Sequence, residues 1–325
     1  MKLSYQKGIL LEEKNLKLFL DPQVKIKQEA IIGISHAHSD HLKPHDTESF
    51  STPQTKQLSK GKIKKEIEYG KIINLNGWEI SLHDSNHILG SAQFLIKSKE
   101  TSIAYTGDFR LNESVFDSEC ELLEADYLII ESTYGLPGIK FPEQKTVEEE
   151  IKNWVKNNQK NDILSLIGAY SLGKSQEIIK ILNQEGIVPS VHPKIAEYCK
   201  IYEQNGIKLK YSCSKTEPLN DVVIIPPHLI NKVLIRSIEQ VTKKKTKASM
   251  VTGWGAMYDF KTKGIEKTFI LSDHADFYQI IEYIKATKPK KVFTVHGYSE
   301  ELAEYLNRRI VKAKPLHHFY KPIIL

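Results

Sequence analysis

Cysteine is scarce in this chain, and long apolar runs are missing. The three cysteines, Cys120, Cys199 and Cys213, are widely spaced and form no C-x-x-C pair. That argues against a disulfide framework or a thiolate zinc site and leaves them as small apolar groups suited to the interior. No stretch of about 18 apolar residues is present to span a bilayer. The opening MKLSYQKGILLEEK lacks the apolar core of a secretory signal, so a reducing cytoplasm is the expected location, with no membrane partner. Low-complexity segments and fixed-period repeats are absent too, which sets aside linkers, fibres and solenoids. Nor does one sign of charge dominate. The 46 Lys and Arg against 40 Asp and Glu leave +6, a balance compatible with a polyanionic partner without requiring one.

What is present fits a soluble globular protein. Hydrophobic residues make up 40% and charged residues 26% of 325 positions. A chain of that length exceeds what one core usually serves, so two domains, or one domain with a large insertion, are expected. From residue 16 to 134, LKLFLD, AIIGIS, KIINL, WEISLH, AQFLI, SIAYTGD and YLIIEST read as strands broken by turns. Near residue 142 the texture changes. Thr146 and Glu149 suggest a capping box, and Val147, Ile151, Trp154 and Val155 recur at helical spacing. ILSLIGAY, SLGKSQEIIKIL, HPKIAEYCKIY, VVIIPP and HLINKVLIRSIEQV then alternate strand and helix, as in a parallel sheet covered by helices. FILSDHADF, FYQIIEYIKAT and VFTVHGY continue that alternation to the end.

Six of the 12 histidines follow apolar, strand-like runs beside acidic residues: His36, His38 and His41 with Asp40, His87, His274 with Asp273, and His296. ISHAHSDHL places three imidazoles and a carboxylate within six positions at a strand end, so they must converge on a small volume. Neutral imidazoles and carboxylates are preferred zinc donors, and two adjacent cations need an acidic bridge to limit their repulsion. Asp108, ending SIAYTGD, is the obvious bridge. His45, His83, His192, His228, His317 and His318 lack this context and read as ordinary structural or surface residues.

His36-Ala-His-Ser-Asp-His41, His87 in NHILGSA, Asp108 in TGDF and Asp21 in LFLDP resemble the ordered motifs of the metallo-β-lactamase superfamily. ESTYG at Glu131, SLGKSQE from Ser171, VTGW from Val251, SDHAD around His274 and VHGYSE around His296 resemble its β-CASP branch, whose members act on nucleic acids. Within that branch the wording is similar to ligase-associated DNA exonucleases, also described as messenger RNA 3′-end processing factors. The resemblance implies an αββα metallo-β-lactamase sandwich formed by residues 1–134 and 268–325, with an α/β β-CASP domain at 135–267 inserted.

Carried over position by position, the resemblance implies that His36, His38 and His87 hold one divalent metal ion. Asp40, His41 and His296 would hold the other, Asp108 would bridge, and Asp21 would orient a ligand from behind. Zinc is the expected metal, with manganese or iron accepted by the same donors. Two such ions about 4 Å apart lower the pKa of a shared water from about 15.7 toward 7 and neutralise phosphate oxygens. His274, oriented by Glu131, would protonate the leaving oxygen, giving 5′-phosphate and 3′-hydroxyl ends. The simpler alternative is that Glu131 caps a helix and His274 is a buried polar residue. Ser85 and Asn86 stand where the family commonly has alanine and glycine, and Pro22 follows Asp21 where glycine is common. With no nucleic-acid-binding appendage evident, single-stranded DNA or RNA is expected to use the cleft between the domains, in association with DNA repair or RNA processing machinery.

One motif competes. Gly168 to Ser175, GAYSLGKS, matches the G-x-x-x-x-G-K-S phosphate loop of nucleotide hydrolases. No magnesium-binding Asp at a following strand end accompanies it. The alternatives are a helix capped by Ser171 whose amides and Lys174 hold a nucleic-acid phosphate, or plain capping with a solvated lysine. The basic runs Lys60–Lys65 and Lys243–Lys247 read either as backbone-tracking patches or as solvated loops. Tyr134 and Trp254 are the candidates for stacking on bases. Beside DNA exonuclease stand three other readings: an RNA-processing endo- or exoribonuclease, a thioesterase or lactonase, and a non-catalytic nucleic-acid scaffold.

Overall fold

Strands form where apolar residues alternate or run together between turns, and in the computed structural model these runs build three sheets. The structure describes residues 1–215, 217–260 and 264–325. The chain divides into two compact units, one made of residues 1–112, 118–139 and 274–325, the other of 113–117 and 140–273.

The first unit holds two seven-stranded sheets. One runs from edge to edge as Ile323–Ile324, Lys2–Tyr5, Ile9–Glu13, Leu16–Leu20, Ile31–Gly33, Ser49–Ser51 and Lys65–Glu66. The other runs as Ala313–Pro315, Lys291–Val295, Tyr127–Glu131, Ser102–Tyr105, Ala92–Lys97, Trp78–Asp84 and Ile73–Leu75. Leu11, Leu18 and Phe50 from one sheet share a buried core with Trp78, Phe94, Tyr105 and Phe293 from the other, so the sheets pack face to face. Burying two apolar faces against each other is the main stabilising term of such a sandwich. The hairpin Lys2–Tyr5 with Ile9–Glu13 is an addition to the strands read from sequence.

The second unit is a six-stranded sheet in the order Ser212–Cys213, Ser190–Val191, Val222–Ile225, Ile163–Gly168, Lys245–Val251 and Ile265–Phe269. Every pairing in it is parallel. Its strands are joined through the helices Lys174–Asn183, Pro193–Gln204 and Lys232–Thr242, which matches the alternation read from sequence. Leu164, Leu166, Val223, Ile225, Met250 and Ile265 form its core.

Two local expectations change. The first helix of this unit starts at Gln144, not at a Thr146 cap. Gln144 is buried and donates to Glu148 at 2.8 Å, while Glu149 accepts from Lys152, so no capping box forms. Of the cysteines, only Cys199 is buried; Cys120 and Cys213 are half-buried, and all three are free thiols. Among the described residues no helix is long and apolar enough to cross a membrane.

Candidate metal centre

Strand direction explains why distant residues meet. In the second sheet Ser102–Tyr105, Tyr127–Glu131 and Lys291–Val295 are parallel neighbours. Trp78–Asp84 runs the same way, because it and Ser102–Tyr105 are both antiparallel to Ala92–Lys97. His87, Asp108, Glu131 and His296 therefore gather at one end of that sheet, where these strands finish. In the other sheet Leu16–Leu20 and Ile31–Gly33 are parallel and deliver Asp21 and the His36–His41 segment. The loops at the carboxyl ends of parallel strands are the usual place for a site.

The donors converge in two groups that share Asp108. One ligand atom each from His36, His38, His87 and Asp108 lie within 4.8 Å of one another, as do those from His41, Asp108 and His296. Asp108 Oδ2 is 3.4 Å from both His36 Nε2 and His41 Nε2, and 3.7 Å from His87 Nε2. Asp40 is the outlying member: its carboxylate is 3.8 Å from His41 Nε2 and its side chain is 74% exposed.

Behind the donors, a hydrogen-bond chain sets which ring nitrogens face inward. Asp21 accepts from the Ser35 amide at 2.7 Å, the Ser35 hydroxyl at 2.5 Å and the Tyr105 hydroxyl at 2.8 Å. It also accepts from His41 Nδ1–H at 2.8 Å, which turns His41 Nε2 toward Asp108. Ser35 gives its single proton to Asp21, so the 2.9 Å contact between Ser35 Oγ and His36 Nδ1 must be donated by the imidazole. That assigns the His36 tautomer and leaves a lone pair on Nε2, an atom that is buried without a hydrogen-bond partner. A buried, unsatisfied acceptor costs free energy, and a cation would satisfy it, so the donor set fits divalent metal. Ser35 and Tyr105 escaped the sequence reading; each directly precedes a motif, and a hydroxyl at a strand end was the available signal.

The electrostatics point the same way. Burial and the neighbouring imidazoles push His36 well below its ordinary value, and burial with His41 lowers His296 to about 4. Both rings are thus neutral, the form that ligates metal. Burial raises Asp108 to about 7. Burial also opposes charge on His41, but Asp108 and Asp21 outweigh it and hold that ring up at about 10. Without metal, the protein draws a proton into the place where its carboxylates call for positive charge.

Glu131 and His274 meet beside this cluster. Glu131 is fully buried; burial acts against its charge, yet His274 and the amides of Thr133 and Phe109 keep it ionised. His274 Nδ1 lies 2.9 and 3.1 Å from its two oxygens, and the His274 ring is 4.6 Å from that of His87. Glu131 is thus a partner of His274 and not a helix cap. Across the same sheet, Gly297 sits at φ 45°, where an added Cβ would come within 2.4 Å of the Ser132 carbonyl. Only glycine lets the His296 loop approach Glu131's strand so closely. Asn86, before His87, adopts φ 56°, a left-handed conformation asparagine tolerates.

Other expected residues take different places. Ser171 and Lys174 belong to the second unit. The helix there is capped at Gly173, not by Ser171, and Lys174, 1% exposed, is paired with Glu177 at 2.5 Å. A Cβ on Gly168 would meet Ile230 at 2.6 Å, so this glycine serves packing, not a phosphate cradle. Tyr134 is buried against the His274 ring at 5.9 Å and offers no face to a base. Trp254 lies 5.9 Å from the exposed Tyr258. In the basic runs, Lys65 pairs with Glu48, Lys244 with Asp162 and Asp221, and Lys247 with Glu266.

Comparison with known proteins adds the family. A model described as the zinc-dependent metallo-hydrolase RNA specificity domain matches residues 258–320. A protein named "Probable DNA ligase" from Opitutus terrae is 32% identical over 295 residues, covering 86% of this chain and 28% of that protein. Cleavage and polyadenylation specificity factor subunit 3 of Dictyostelium discoideum is 24% identical over 79% of this chain and 40% of its own length. The chain therefore spans less than half of each of these relatives. An uncharacterized protein in the lig 3′ region of Acidianus ambivalens is 32% identical and covered over 97% of its length, against 45% of this chain. A crystal structure of a protein of unknown function from Enterococcus faecalis V583 shares the fold, with a TM-score of 0.65 at 13% identity over 100% of this chain and 99% of that one. With histidine and aspartate donors gathered at the strand ends, this chain belongs to the β-CASP branch of the metallo-β-lactamase superfamily.

Proposed function

We propose that the chain is a dinuclear metal-dependent nuclease that hydrolyses phosphodiester bonds, acting as a DNA exonuclease of the ligase-associated type. The observation that carries this reading is the sharing of Asp108 between two donor groups, beside a buried carboxylate–imidazole pair. His36, His38 and His87 would hold one ion and Asp40, His41 and His296 the other, with Asp108 between them. Bound zinc would supply an acidified water and neutralise phosphate charge.

The chain's own residues do the rest. Asp21 and Ser35 hold His41 and His36 in the tautomers that turn Nε2 inward. Glu131 keeps the proton on His274 Nδ1 and stabilises the ring when charged, so Nε2 is the atom that hands a proton to the departing oxygen. As the P–O3′ bond breaks, that proton leaves a 3′-hydroxyl, and the phosphate stays on the 5′ side. Residues 135–267 are read as the inserted β-CASP domain, which the compact unit 113–117 and 140–273 supports.

The relative named as a DNA ligase, and the one from a lig region, support DNA as substrate and repair machinery as the setting. RNA 3′-end processing is the second reading, favoured by the matched RNA specificity domain and the polyadenylation factor relative. A thioester or lactone substrate would not call for the Glu131–His274 pair. Product mapping on end-labelled single-stranded DNA and RNA of one sequence, with and without chelator, decides sugar, polarity and end chemistry together. Chelator-insensitive cleavage, or hydrolysis of a thioester or lactone alone, would sink the proposal.

A further inference from the structure

A second gathering of donors lies at the C-terminal turn. His317 and His318 close the short 3-10 turn Leu316–His318, and Glu300 lies in the first turn of the helix Ser299–Arg309. Glu300 Oε1 is 3.0 Å from His317 Nε2 and 2.7 Å from His318 Nε2. The imidazoles stand 75° to each other with centroids 4.6 Å apart. Neighbouring residues on a 3-10 turn project about 120° apart, so two adjacent rings ending on one oxygen is a specific arrangement. Exposed ion pairs contribute little by themselves.

Two ring nitrogens and one carboxylate oxygen within 4.8 Å make a donor set for a borderline divalent ion. A tetrahedral zinc ion with bonds of about 2.0–2.1 Å separates its ligand atoms by roughly 3.3 Å. The two carboxylate–imidazole separations fall short of that by about 0.3 and about 0.6 Å, and all three side chains are exposed enough to open that far. We propose that Glu300, His317 and His318 form a separate surface site for a divalent transition metal, zinc by donor type. An ion there would pin the 316–318 turn to the helix that begins just after His296. This inference does not depend on the proposed nuclease activity.

The test is metal content of chelator-stripped full-length protein after equilibrium dialysis in zinc-buffered solution, compared with His317→Ala/His318→Ala and, separately, Glu300→Gln. Each variant is expected to retain one zinc ion fewer per chain than the native protein. Zinc should also raise the Tm of the native protein by more than it raises that of the variants, since a bridging ion stabilises only the folded chain. Equal zinc content in native and variant proteins overturns the site. If the native protein binds a single ion that the variants lose, this site stands and the proposed nuclease centre falls.

Discussion

His274 presents its Nδ1 to both carboxylate oxygens of Glu131, at 2.9 and 3.1 Å, with the carboxylate fully buried. Neither residue is among the proposed ligands, so chemistry and metal binding separate experimentally. His274→Ala and Glu131→Gln should each slow cleavage by about 10²- to 10⁴-fold. Metal content measured on the same samples should stay at the native level. Loss of metal in step with activity would make the pair structural.

Ser35 predicts a different pattern. Its hydroxyl fixes the His36 tautomer while donating to Asp21. Ser35→Ala should weaken metal affinity by about 10- to 100-fold, as removal of such a supporting partner typically does. Excess metal should restore most of the activity, and metal-competition titration reads the effect directly.

Metal removal should abolish cleavage and lower Tm, because the buried lone pair of His36 Nε2 and the crowded carboxylates lose their partner. Reloading with zinc should recover both. A stripped protein that still cleaves would contradict the dinuclear reading.

The stripped chain should also show a defined pH dependence. Burial works against protonation of His41, but Asp108 and Asp21 hold it at about 10, above its ordinary 6.5. A raised folded pKa contributes stability that is whole below the unfolded value and is lost as pH climbs through the folded one. The urea midpoint of stripped protein should therefore fall as pH rises from about 6.5 to about 10, and the fall should shrink in His41→Asn. A flat profile would show that the carboxylates do not hold that proton.

Lys174 tests whether the GAYSLGKS segment touches substrate. Its ammonium is buried on Glu177, and removing one partner of a buried pair costs about 3–5 kcal/mol. Lys174→Ala should destabilise the protein by that order in chemical unfolding. A fold-preserving Lys174→Met/Glu177→Leu double variant should bind single-stranded DNA as the native chain does; a selective loss of binding would restore the phosphate-contact reading.

The sequence by itself determined the alternation of strands and helices, and it marked the donors, because ligand groups spaced one or two residues apart after a strand have little freedom to diverge. His36, His38 and His41 were legible for that reason, and Asp108 because an acid ending an apolar strand has few other uses. Tertiary structure alone decided which residues stand behind them. Ser35 and Tyr105 matter only because a parallel neighbouring strand brings one hydroxyl to Asp21 and the facing sheet brings the other. Lys174 and Tyr134 looked available in one dimension and are buried in three, since burial and pairing depend on what packs against a residue, which local spacing does not encode.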